Sequence, residues 1–159
     1  MVDDFERTVP LARRQMSIRV LIADSSGAMR HALVGVIKEE PLIEVIGEAT
    51  SFAETLELTA SLRPDVLLLD PHMPDEREYP SELVRPQILL NVKCIVAMSF
   101  WSDADAGELA KSFGAVTLLD KTNLYSQLIS AIKQFCPEVG IPEIVKPFNS
   151  EETFANSNR

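Results

Sequence analysis

The chain has 159 residues, an apolar fraction of 46% and a net charge of −9, with 24 acids against 15 Lys and Arg. That length holds one domain with short tails and enough apolar residues for a full core. Its longest basic cluster is Arg13-Arg14, which argues against direct nucleic-acid binding. No apolar run reaches the ~18 to 20 residues of a membrane span, and no signal peptide is visible, so the expected location is cytoplasmic with no membrane partner. Cys94 and Cys136 lie in apolar contexts without a CxxC motif, and buried free thiols are expected for both. With His31 and His72 as the only histidines, nothing has zinc-ligand spacing.

Residues 1–16, with mixed charge and Pro10, read as a flexible extension before a domain spanning 17–137. Ile18 to Ala23 is a first strand, broken by Asp24-Ser25-Ser26-Gly27. A helix follows with Met29, Leu33, Val36 and Ile37 on one face, and Glu40-Pro41 ends it. Ile43 to Ile46 is a second strand, closed by Gly47. Ser51 and Glu54 form a capping box for a helix whose inner stripe is Phe52, Leu56 and Ala60, with Pro64 as its stop. Asp65 to Asp70 is a continuous apolar run ending on an acid, the pattern of a strand buried on both faces.

The next segment, Tyr79 to Leu90, must carry a helix if the flanking strands are parallel. Pro86 within it predicts a helix that is short, kinked or broken there. Lys93 to Ser99 is a fourth strand. Ser102 and Asp105 form another capping box for a helix running to Phe113, with Gly114 as its stop. Ala115 to Leu119 is a fifth strand. Thr122 is placed to cap a last helix with Leu124, Leu128, Ile132 and Phe135 on one face, ended by Pro137. Residues 138–159, rich in Pro, Glu, Asn and Ser, read as a flexible tail without an output domain.

The order is (βα)5, and right-handed crossovers give a doubly wound α/β fold. The expected five-stranded parallel sheet has the flavodoxin-like order 2-1-3-4-5. Asp24, Asp70, Ser99 and Lys121 then converge at the carboxyl ends of the strands, where such sheets hold ligands. Carboxylates, a hydroxyl and an amine at one rim suit a divalent cation and a phosphoryl group, with Asp70 as carboxylate nucleophile.

The chain resembles the receiver domain of bacterial two-component response regulators over about residues 17–136. The resemblance lies in Ile18 to Asp24, Ile46-Gly47-Glu48-Ala49, Arg63 to Pro74, Ala97-Met98-Ser99 and Phe113-Gly114-Ala115 leading to Leu118-Leu119-Asp120-Lys121. It implies that Asp70 is the phosphoacceptor, Ser99 the switch hydroxyl and Lys121 the lysine that contacts the phosphoryl group. It also implies Mg²⁺ held by Asp24, Asp70 and the backbone carbonyl of His72. The implied partners are a sensor histidine kinase or phosphotransfer protein, a downstream protein, and a second copy in a homodimer. The expectation is a stand-alone receiver switching partner binding, with no enzymatic turnover of a separate substrate.

The pattern departs from the family at identifiable places. Ser25 stands where a second acid is usual, so it is a weak or indirect ligand and the Mg²⁺ site is weakened. Asp75 and Glu76 in the following loop are candidates to restore part of the charge. Leu118 replaces the usual aromatic on strand five. Phe100 and Trp101 follow Ser99, where a small residue is usual. These departures support an alternative: a degenerate receiver that binds a protein partner without phosphorylation. A hydrolase using Asp70 is disfavoured because His72, not an acid, lies two residues on. Nucleotide-binding glycine motifs are absent.

Overall fold

The computed structural model describes residues 17–101 and 103–136. The extension 1–16, Ser102 and the segment 137–159 lie outside the described residues, and with them the expected tails and the Pro137 stop. Five strands and five helices alternate: β1 Ile18–Ala23, α1 Gly27–Lys38, β2 Ile43–Ala49, α2 Phe52–Leu62, β3 Val66–Leu69, α3 Ser81–Leu89, β4 Cys94–Ser99, α4 Ala104–Ser112, β5 Thr117–Asp120 and α5 Leu124–Phe135. All the strand pairings are parallel, in the order β2-β1-β3-β4-β5. The expected doubly wound architecture is therefore present.

Strand alternation divides the core into two layers. Val20, Ile22, Leu68, Val96 and Met98 pack with residues of α1 and α5 on one face. Leu21, Leu67, Leu69 and Ile95 pack on the other with α2, α3 and Phe113. Every residue of β3 is fully buried, because β3 is central and covered on both faces. Its carboxyl end is thereby fixed beside those of β1 and β4.

Local chemistry moved several expected boundaries. β2 does not close at Gly47 but continues to Ala49, with a register shift that pairs Val20 with Val45 and Leu21 with Gly47. A Cβ at Gly47 would come within 3.1 Å of the Leu21 and Leu62 side chains, so glycine serves close packing there. Ser51 caps α2 through its side chain to the Glu54 N–H, but the buried stripe is Phe52, Thr55 and Thr59, and Ala60 is exposed. Apolar periodicity misses both threonines because their hydroxyls are satisfied within the helix, on the carbonyls of Ser51 and Leu56. α3 is short, as expected, yet it is not broken at Pro86 and continues to Leu89.

Asp103, not Ser102, caps α4, accepting the Ala106 N–H at 2.8 Å. Gly114 ends that helix with φ 86°. Its N–H reaches the Lys111 carbonyl and that of Ala115 reaches Ala110, a pattern that satisfies two terminal carbonyls. Thr122 does not cap α5; Asn123 occupies that position without a side-chain bond. Ala131, not Phe135, completes the buried face of α5, and Phe135 is 41% exposed.

The cysteines overturn the free-thiol expectation: Cys94 and Cys136 form a disulfide. Cys94 opens β4 and Cys136 follows the last turn of α5, and the packing of α5 on the sheet brings their Cα atoms to 5.8 Å, within disulfide range. Nothing in a 42-residue separation reports that approach. Closing a loop of this size stabilises the fold by about 4 kcal/mol in the chain-entropy account. Reduction, or Cys136→Ser, should lower the urea unfolding midpoint correspondingly; an unchanged midpoint would show that the bond does not constrain the unfolded chain.

Candidate functional site

Four strands leave the sheet through the same local device. Asp24 Oδ1 accepts the Ser26 N–H and Asp70 Oδ1 the His72 N–H, each at 2.8 Å. Ser99 Oγ accepts the Trp101 N–H at 3.0 Å and Asp120 Oδ1 the Thr122 N–H at 2.8 Å. In each case a short polar side chain bonds the backbone two residues on, turning the chain out of the strand. The Asp120 carboxyl is held below the ordinary aspartate range, first by the Thr122 N–H and then by the Thr122 hydroxyl. A depressed carboxyl of this kind contributes stability above its unfolded pKa and loses it as pH falls through the folded value. The sequence marks the break after β1, but the side-chain bonds that build these turns were not anticipated from it, although the acid or hydroxyl at each strand end carried the signal.

Lys121 joins two of these strand ends. Its Nζ lies 2.6 Å from Asp70 Oδ2 and 2.6 Å from Asp24 Oδ2. The Asp70 contact is a hydrogen bond. The Asp24 contact has ion-pair distance without hydrogen-bond geometry, so the buried Asp24 Oδ2 remains without a hydrogen-bond donor. The lysine side chain is 3% exposed, that of Asp24 1% and that of Asp70 12%. Asp70 is therefore the carboxylate that faces the mouth of the site. The Phe100 ring lies over the ammonium, 5.1 Å from Nζ to centroid, at cation–π distance.

The sequence-predicted residues separate into those brought together and those not. Asp24, Asp70 and Lys121 form one buried cluster. Ser99 is buried at the adjacent strand end, but its described hydrogen bond is to Trp101. Ser25 is exposed at the mouth. His72 is exposed and its Nδ1 lies 3.5 Å from Glu76; its ring meets Trp101 edge-on, with centroids 5.5 Å apart. Asp75 does not replace the missing acid. Both its oxygens accept N–H groups at the start of α2, from Phe52 at 2.9 Å and Ala53 at 3.0 Å, which satisfies donors that a helix N-terminus leaves free. Glu76 is exposed beside His72 and is not part of the acid–lysine cluster.

Among the described residues, no three His, Cys, Asp or Glu side chains come together in metal-binding array. The chemistry of the donor set fits a hard cation nonetheless, since two carboxylates converge and one buried oxygen lacks a hydrogen-bond donor. Lys121 now supplies the positive charge at that place. Lys121→Met would leave two buried carboxylates facing each other without a counter-charge, a loss of about 3 kcal/mol or more in unfolding free energy at neutral pH. Asp24→Asn should cost less, because the Asp70–Lys121 hydrogen bond survives; the reverse ranking in urea denaturation would contradict this account of the cluster.

Among the described residues, no helix is long and apolar enough to cross a membrane. Comparison with known proteins places this geometry in a family. The response regulator receiver domain model matches residues 20–133. Protein-glutamate methylesterase/protein-glutamine glutaminase 2 of Anaeromyxobacter dehalogenans is 35% identical over 118 residues, which are 74% of this chain and 34% of that protein. The transcriptional regulatory protein LiaR of Bacillus subtilis is 35% identical over 118 residues, 73% of this chain and 54% of that protein. The chain thus spans about a third of the one and half of the other. The response regulator domain of Thermotoga maritima CheB superposes with a TM-score of 0.65 at 25% identity, covering 76% of this chain and 97% of that one. With its parallel five-stranded sheet and acid–lysine cluster at the strand ends, the chain belongs to the response regulator receiver domain family of two-component signalling.

Proposed function

We propose that this receiver accepts a phosphoryl group on Asp70 from a phosphohistidine of a sensor kinase or phosphotransfer protein, and that the modification changes its affinity for a separate protein partner. The observation that carries this reading is the single buried ammonium held 2.6 Å from both Asp24 and Asp70. Asp70 Oδ2 attacks phosphorus, the bond from phosphorus to the donor imidazole breaks, and the imidazole retains the electron pair. Lys121 is placed to follow the charge from carboxylate to phosphoryl oxygen as a point charge. The His72 N–H holds Asp70 Oδ1 and fixes the carboxylate's orientation. Ser99 Oγ accepts the Trp101 N–H, so its own proton is free for donation to a phosphoryl oxygen without loss of the turn. That added contact would shift a pre-existing equilibrium between two arrangements of the β4–α4 segment.

Receiver domains bind Mg²⁺ at their acidic pocket, and a bound Mg²⁺ neutralises phosphoryl charge. Here Asp24, Asp70 and the His72 backbone carbonyl would hold it, with Ser25 contributing at most an indirect contact. Replacing an anionic ligand by a neutral hydroxyl weakens the site.

A second reading is favoured by the same substitution. With Ser25 in the acid position and Asp75 engaged at the start of α2, the chain would act as a degenerate receiver that binds its partner without phosphorylation. A small acyl phosphate with millimolar Mg²⁺ separates the two. Phosphoacceptor function predicts label on the wild-type chain, none on Asp70→Asn, and both faster labelling and at least about tenfold tighter Mg²⁺ binding for Ser25→Asp. A chain that stays unlabelled even as Ser25→Asp would favour the degenerate reading.

A further inference from the structure

Beside the acid–lysine cluster, and sharing Ser25 and His72 with its mouth, a groove of about 650 Å³ runs between the segment after β3 and the start of α4. Its floor is apolar, with Met73 and Ala106 buried and Leu109 half-buried. Trp101 forms one wall and is 60% exposed. A large aromatic left in water beside an apolar floor is the arrangement of a binding hot spot. The rim is acidic: Glu76 and Asp105 are exposed along it, and none of the described lining residues is Lys or Arg.

We propose that this groove docks an amphipathic protein segment that places apolar side chains against Trp101 and Leu109 and Arg or Lys side chains against Glu76 and Asp105. Charge complementarity selects this occupant. A second copy of a chain of net charge −9 would bring like charge to an acidic rim, and a nucleic acid would bring phosphates to it. The lining includes His72, whose ring contacts Trp101, so an occupant lies two residues from Asp70. Docking itself requires no phosphoryl group and is testable on the unmodified chain, independently of the function proposed above.

Trp101 is the only tryptophan of the chain, so intrinsic fluorescence reports on the groove directly. The full chain would be titrated with a synthetic helical peptide carrying Leu on one face and Arg on the other, and with the same peptide carrying Glu for Arg. Docking predicts a saturable blue shift with the Arg peptide alone, weakened by salt. The double variant Glu76→Lys/Asp105→Lys should weaken binding at least about tenfold. Glu44→Lys/Glu57→Lys makes the same charge change at exposed positions elsewhere and should leave affinity unchanged. The proposal fails if the Arg peptide produces no saturable change up to about millimolar concentration, or if the Glu peptide binds equally. It also fails if both double variants weaken binding alike, or if the shift arises from self-association seen by sedimentation without peptide.

Discussion

The structure depends on one buried cation. Lys121 arrives at the end of β5 and reaches across the sheet rim to carboxylates that end β1 and β3. Two buried acids at this spacing would repel each other in a medium of low polarity, and the ammonium between them makes the arrangement tenable. The two contacts differ: Asp70 accepts a hydrogen bond from the ammonium, whereas Asp24 Oδ2 has an ion-pair contact without hydrogen-bond geometry.

Around this cluster the strand ends share a common construction. A short polar side chain at each of four strand termini accepts the N–H two residues on, so the groups that carry chemistry also build the turns that display them. Asp70 illustrates the division of labour: one oxygen is fixed by the His72 N–H and the other by Lys121. The same economy extends to the acids that follow β3. Asp75 is committed to the N-terminus of α2, both oxygens accepting backbone N–H groups, while Glu76 stays exposed beside His72.

The β4–α4 segment links the buried cluster to the groove. Ser99 turns the chain, Phe100 lies over Lys121, and Trp101 stands in water beside an acidic groove. Three consecutive residues therefore connect the buried charge to an exposed surface. A change at Asp70 that recruits the Ser99 hydroxyl would be felt at Trp101 through a single shared hydrogen bond.

The fold was legible in the sequence, and so was the rim at which the strand-end residues meet. Strands buried on both faces appear as continuous apolar runs, parallel connections demand intervening helices, and the order 2-1-3-4-5 brings strand ends one, three, four and five to one rim, so Asp24, Asp70, Ser99 and Lys121 were legible as a group. Contacts that depend on how helices seat against the sheet were not. The Cys94–Cys136 bond joins residues 42 apart, and only the packing of α5 brings them within bonding range. The buried role of Thr55 and Thr59 depends on hydroxyls turned back on their own helix, which apolar periodicity does not register. The commitment of Asp75 likewise belongs to tertiary structure, because an acid's availability is set by which donors surround it and not by its position in the chain.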